Sequence, residues 1–330
     1  MGALSSLRIS VGGAGVFGLC IGVELARRGA KVTLSDPHLA GPNASSVAAG
    51  MLAPALEAAL DPLMYGRFVL LRAARDLWPA FADDLPGVSL DRAGANYRAD
   101  ADGLARTLTR LRAESAAFET RGDGLFTPED WRIDPVATLA ALRTRFVELG
   151  GTLREAPVQS GPAGDVAVLA CGWQSVDLAP ELAVLTPIKG QLLRFASGPS
   201  SGPVRRGPGA YVVPGEGGAV VGATMETGLS NLEPDEAASE RLLAAGLTLA
   251  PELAGQDYTV EVGVRAAAPD GLPLVGPSLQ AGVFVAAGAR RNGWLLGPMV
   301  AGLVADRLEG RGHTEAAAVM DSSRFGPTER

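Results

Sequence analysis

The chain has 330 residues, 47% of them hydrophobic and 20% charged, which suits a packed core and excludes intrinsic disorder. At roughly 150 residues per domain, this length predicts two domains or one large α/β body with an insertion. The net charge of −7 excludes a general attraction to nucleic acid or to anionic lipid. His38 and His313 are the only histidines, and Cys20 and Cys171 the only cysteines. They exclude a His-rich zinc site, a C-x-x-C pair and a disulfide framework, so no metal site is expected and a reducing cytoplasm is. A Ser-His-Asp hydrolase would have to use one of those two histidines. The longest uncharged stretch, 271–289, is broken by Gly, Pro, Ser and Gln, so no membrane-spanning segment is expected. The apolar run after Arg8 leads straight into a helix pattern, so no signal peptide is expected.

Residues 8–36 read as one βαβ unit: a strand at 8–11, a glycine turn at 12–18, a helix over 16–28 and a strand at 31–36. Residues 41–54 are small and read as a loop with a short helical turn. Met64, Phe68, Leu71, Trp78 and Phe81 recur at helical spacing and predict a helix over 63–82. A second amphipathic helix is predicted over 102–117, and Asp134-Pro135 caps a third that runs to Leu149. Strands follow at 166–171 and within 185–225, then a helix over 234–250 and a strand over 258–264. A strand at 283–287, a turn at 288–293 and a helix over 295–308 close the pattern. This order suits a nucleotide-binding body made from both ends of the chain, with a second domain inserted.

The turn Gly13-Ala-Gly-Val-Phe-Gly18 matches G-x-G-x-x-G in the context that gives the motif meaning, between a strand and a helix. Such glycines let backbone amides approach a pyrophosphate at a helix N-terminus. Asp36 ends the next strand, where a carboxylate holds a ribose hydroxyl and repels a 2′-phosphate. The motif leaves NAD and FAD both open. In the 41–54 loop, Ser45 and Ser46 can donate to phosphate, and Ala48, Ala49 and Gly50 let backbone pass a flat ring. The turn Gly288-Ala-Arg-Arg-Asn-Gly293 sets Arg290 and Arg291 at a helix N-terminus, which favours an anionic group. Arg265 shares a strand face with Glu261, opposite valines, and Tyr211 stands in a strand-like run. From the pattern alone, each reads first as part of a solvated strand face. Cys171 reads as a small core residue and Lys189 as structural. His38, just past Asp36, falls near the adenosine end.

Taken together, GAGVFGLCIGVELARRGAKVTLSD, ASSVAAGMLAP, PIKGQLLRF, AYVVPGEGGAVVGATME, GVRAAAPDGLPLVGP and FVAAGARRNGWLLGPMVAGLVADRL resemble the FAD-dependent D-amino-acid oxidase superfamily. The likeness is greatest to its glycine oxidase branch of thiamine biosynthesis and runs over most of the chain. The resemblance implies a glutathione-reductase-type Rossmann FAD-binding domain of α/β class, with an inserted α+β substrate domain on an antiparallel sheet. The boundaries expected are 1–55, 132–180 and 256–330 for the first and 56–131 and 181–255 for the second.

It also implies non-covalent FAD held by Gly13, Gly15, Val16, Phe17, Gly18, Asp36, Pro37, Ala44, Ser45, Ser46, Ala49, Gly50 and Met51. Val158 and the run Ala289, Arg290, Arg291, Asn292, Gly293, Trp294 and Leu295 would complete that site. Arg265 would clamp a substrate carboxylate, with Tyr211 and Arg291 beside it. The implied reaction oxidises glycine or another small amino acid or amine to an imine and reduces O2 to H2O2. A homo-oligomer is expected.

Two departures stand out. Ala289 replaces the histidine usual in the branch, and 155–165 is shorter than the family's β-meander. Two other readings stay open here: an NAD-dependent dehydrogenase on the same glycine motif, and a flavin-binding protein with other or lost activity. A nucleic-acid substrate is disfavoured by the −7 charge.

Overall fold

Arg8–Gly12 pairs in parallel with Lys31–Asp36, and the Val16–Arg27 helix makes the crossover between them. In the computed structural model, which describes residues 4–39, 41–215, 217–311 and 314–326, this unit is the middle of a six-stranded sheet. His313 lies outside the described residues. The strand order is Leu274–Pro277, Val283–Ala287, Val166–Leu169, Arg8–Gly12, Lys31–Asp36, Thr152–Glu155. Every pairing is parallel except that of Leu274–Pro277 with Val283–Ala287. Ile9, Val11, Val32, Leu34 and Val168 join the core that also takes in the Val16–Arg27 and Gly293–Leu308 helices. Strand alternation sends Ser10, Gly12, Thr33 and Ser35 to the opposite face.

A second sheet has nine strands. Its long strand Thr186–Phe195 pairs with Tyr258–Ala267 over ten residues and with the short Glu226–Thr227. It runs on through Gly218–Gly222, Ala210–Gly215, Val204–Gly207, Ala95–Arg98, Gly124–Thr127 and Glu119–Arg121. All its pairings are antiparallel except Val204–Gly207 with Ala95–Arg98. Tyr258–Ala267, expected with the cofactor-binding portion, is therefore a strand of this larger sheet.

The helix expected over 63–82 is three pieces: a 3-10 turn Pro62–Met64 and helices Phe68–Asp76 and Trp78–Ala82. The Asp61 carboxylate accepts from the Leu63 amide and caps the turn, and Pro79 stands at the start of the last helix. A helix at Pro54–Leu60 was unforeseen, because nearly all of it is buried, its single charged residue Glu57 included, and it has no polar stripe to betray it. The strand expected over 258–264 extends to Ala267, and the segment 156–165 forms no strand, as its shortness implied.

Candidate active site

The glycine turn has the shape its sequence demands. Gly13 holds φ at +98°, and a Cβ there would lie 2.5 Å from the Ala170 carbonyl oxygen. Gly18 allows the helix to start directly against the turn: a Cβ would lie 1.8 Å from the Gly13 oxygen. The Asp36 carboxylate accepts from the Ala14 amide at 2.7 Å and from the His38 amide at 2.8 Å. It ties the ends of the two strands together and keeps lone pairs free for a hydroxyl. Pro37 and His38 are exposed beside it.

The Val16–Arg27 helix opens on Gly15, which has no side chain to cap it. Ser45 fills part of that gap, its Oγ accepting from the Val16 amide at 3.0 Å. Ser45 comes from the short Ala44–Val47 helix, where Asn43 and Ser46 cap each other. The Ser46 hydroxyl is thus taken up by its own helix. Ala44 abuts Gly263, where a Cβ would lie 3.2 Å from the Ala44 Cα. The Gly293–Leu308 helix likewise starts without a side-chain cap, at the buried Asn292. Its first residue, Gly293, adjoins Val16. Two uncapped helix N-termini therefore converge, and each favours negative charge.

Beside them lies a cavity of about 260 Å³. Ala49, Gly50 and Met51 form one wall, and Arg291, Asn292 and Trp294 another. Tyr211 and Arg265 face it from the larger sheet. The Gly288–Gly293 turn is bound to the end of the Arg265 strand: the Arg290 amide donates to the Ala266 oxygen, and Ala267 bridges Ala289. That link brings Arg265 and Arg291 to one cavity. Among the other expected cofactor residues, Val16, Phe17 and Leu295 bury their side chains in the core, so only their backbone is available. The Arg290 side chain pairs with buried Asp61. Val158 packs on Gly12 and lines a separate hollow of about 620 Å³ on the polar face of the parallel sheet.

Arg265 lies back across the neighbouring strand, where Gly190 makes room: a Cβ there would sit 2.0 Å from Nη1. Its guanidinium donates to the Thr224 carbonyl oxygen at 3.2 Å, and no carboxylate pairs with it among the described residues. Glu261, its neighbour on the strand face, pairs with Arg194 instead. Burial lowers the Arg265 pKa from its ordinary value. Gly222 makes room for the Tyr211 ring in the same way, and burial raises the Tyr211 hydroxyl, which stays protonated as a donor.

Two cavity residues carried no signal in the sequence. Glu57 and Arg206 are 4% and 5% exposed, and Arg206 Nη2 donates to Glu57 Oε1 at 2.9 Å. Arg291 Nη2 donates to the same oxygen at 3.0 Å. Burial pushes the Glu57 carboxyl up, but the Arg291 and Arg206 guanidiniums outweigh it and hold it below the usual range. Lys189 lies elsewhere, buried with Asn231 and Glu226, in the structural role its sequence suggested. Cys171 is half-buried beside Gly12 and lies outside the core its sequence suggested, and desolvation pushes its thiol up to about 12.

Asp130 supports this wall from behind. It is buried and accepts from the Ala55 and Leu56 amides at the start of the Glu57 helix. Burial raises its pKa to about 7. Between about pH 4 and 7 the unfolded carboxyl loses its proton while the folded one keeps it, so Asp130 makes stability fall as pH rises through that window. Above about pH 7 its contribution is level. Asp130→Asn should flatten this part of a Tm-against-pH curve. Parallel curves for the two proteins would refute the assignment.

A family model for FAD-dependent oxidoreductases (DAO) matches residues 8–307. The chain belongs to that family. FAD is accordingly its cofactor, and the NAD-dehydrogenase alternative falls. The residues present fit the group: two uncapped helix N-termini for its anionic parts, Asp36 beside the glycine turn, and a flat wall of small residues.

Among relatives, the chain is 31% identical over 89% of its length to the bifunctional protein ThiO/ThiG of Trichormus variabilis. It spans about half of that protein. It is 28% identical to glycine oxidase of Pseudomonas aeruginosa, over 98% of this chain and all of that one. The crystal structure of glycine oxidase from Geobacillus kaustophilus superposes with a TM-score of 0.84 at 27% identity, covering 97% of this chain and 99% of that one.

Proposed function

We propose that the chain oxidises glycine or another small amino acid or amine at its α-carbon. Arg265 carries this reading. A partly buried guanidinium with no acidic partner, facing a cavity beside the helix start that favours a flavin's negative edge, suits the carboxylate of an amino acid. In this reading Arg265 grips the carboxylate and Tyr211 donates its hydroxyl, which holds the α-carbon over the ring that lies on the wall at 48–51. Arg291 and the Asn292 end of the helix stabilise negative charge developing on the far side. FAD, when bound, supplies the acceptor for the α-hydride and its electron pair and passes two electrons to dioxygen, giving hydrogen peroxide. The amine nitrogen contributes its lone pair to the new C=N bond, and water then releases an oxo acid and ammonia. Among the described residues no histidine lines the cavity, and a neutral amine needs no protein base.

In support stand the glycine-oxidase names of the full-length relative and of the superposed structure. Ala289, in place of the histidine the resemblance led us to expect, sits behind the Arg265 strand end and does not line the cavity. Peroxide release by the FAD-loaded protein from glycine, sarcosine and D-alanine tests the proposal. A yellow protein that releases none from any small amine would refute it.

A further inference from the structure

We propose that Met225 is a peroxide-sensitive modification site whose sulfoxide occupies Arg265 and so weakens carboxylate binding. The proposal rests on the oxidase reading above, which supplies hydrogen peroxide in the same cavity.

Met64, Met299 and Met320 are buried in the core, whereas Met51 and Met225 are half-buried and both line the cavity. In the oxidase reading the flavin ring covers Met51, which leaves Met225 as the open thioether on the Arg265 side. Met225 Sδ accepts from Arg265 Nη1 at 3.6 Å. The Thr224 carbonyl oxygen accepts from the same nitrogen at 3.2 Å. The backbone on either side is fixed. The Thr224 amide donates to the Gln191 oxygen at 3.2 Å, and Thr224 Oγ1 accepts from the Gln191 amide at 2.9 Å. Glu226 pairs with Lys189 in the larger sheet. The thioether is thus held against the guanidinium, with the cavity open to it.

A thioether sulfur is a weak acceptor, so Arg265 loses little in leaving it for a substrate carboxylate. Oxidation reverses that order. The sulfur attacks one oxygen of hydrogen peroxide with a lone pair, and the O–O bond breaks. The other oxygen leaves as hydroxide and takes the proton of the transferred oxygen to form water. Sulfur gives up two electrons, peroxide takes both, and methionine sulfoxide and water result. The new oxygen is a strong acceptor carried on an atom 3.6 Å from Nη1, within reach of the N–H that a carboxylate would use. A bidentate carboxylate needs that fork free.

The test treats FAD-loaded protein with hydrogen peroxide for increasing times and then removes the excess with catalase. Peptide masses report which methionines have gained one oxygen. Methoxyacetate, a carboxylate with no amine to oxidise, is titrated into each sample, and its Kd is read from the flavin absorbance. Met225 should gain oxygen ahead of Met64, Met299 and Met320. The Kd should rise about ten- to a hundredfold as it does so, the usual worth of a hydrogen bond to a charged group. Met225→Leu should hold its own Kd through the same treatment. If that variant fails to fold, the wild type decides by itself, because the loss of binding must then follow the Met225 peptide and not the Met51 peptide.

Oxidation of Met225 no faster than that of the buried methionines would overturn the proposal. So would an unchanged Kd after Met225 is oxidised, or a rise that survives Met225→Leu. Peroxide release from glycine or sarcosine alongside any of these results would leave the oxidase reading intact. Loss of methoxyacetate binding with Met225 oxidation, in a protein that releases no peroxide from any amine, would support the modification site and sink the oxidase reading.

Discussion

Arg265→Ala is expected to raise KM for amino acids by roughly tenfold to several thousandfold. Truncating one partner of a desolvated charge pair typically costs about 2–5 kcal/mol, and each 1.4 kcal/mol is a factor of ten. Among the described residues Arg265 has no carboxylate partner to leave stranded, so the fold and the FAD content should be nearly unchanged. Oxidation of a simple amine that lacks a carboxylate should suffer far less.

Gly190→Ala is a companion test that leaves Arg265 in place. Its new Cβ would lie 2.0 Å from Arg265 Nη1, the free end of a flexible side chain, so the guanidinium should swing aside at little cost to the fold. It should therefore reproduce much of the KM increase at near-wild-type Tm. Equal losses on carboxylated and simple amines would instead indicate a flavin defect, and wild-type kinetics in both variants would remove Arg265 from the site.

Gly18→Ala should strip the protein of FAD. The added methyl would meet the Gly13 carbonyl oxygen at 1.8 Å, and that oxygen belongs to the backbone of the turn. Gly13 is already held at a positive φ against the Ala170 carbonyl, so the turn has no easy way to yield. Overpacking of this kind costs about 1–3 kcal/mol, and lost FAD removes its own share of stability. The expected result is a ratio of FAD to protein well below one and a Tm lower by several degrees. Gly302→Ala is the control. A Cβ there meets nothing within 4 Å, and alanine is the better helix former. A yellow Gly18→Ala protein with wild-type Tm would show that the turn is looser than its geometry requires.

The sequence was most legible where structure is local. The first βαβ unit, the Asp134-Pro135 helix start and the strand–turn–helix near the C-terminus each rest on residues a few positions apart. Their strands and helix ends came out within a few residues of expectation. The helix over 63–82 failed for a local reason that was also visible, a competing Asp61 cap with Pro62 and Pro79. The Pro54–Leu60 helix failed because alanine-rich periodicity is silent when every face of a helix is buried.

The candidate site divides in the same way. Gly13, Gly18, Asp36 and the Gly288–Gly293 turn could be named from spacing, because a dinucleotide turn is a short-range device. Glu57 and Arg206 could not. Each looked like an ordinary surface charge, one on a short alanine-rich helix and the other on a four-residue strand among glycines and prolines. They become a buried pair 149 positions apart only when the helix packs under the larger sheet. Gly190 and Gly222 stand within strands, and only the side chains lying across them explain why no larger residue stands there.

By itself, then, the sequence determined that a dinucleotide turn, an acid beside it and an arginine-bearing helix start all exist. Glycine torsions, strand alternation and helix ends are properties of neighbouring residues. Only the tertiary structure decided that Glu57, Arg206, Arg265 and Arg291 surround one cavity, and which of their polar atoms are left unpaired. Those facts depend on burial and on contacts between strands and helices far apart in the chain, which no local pattern encodes.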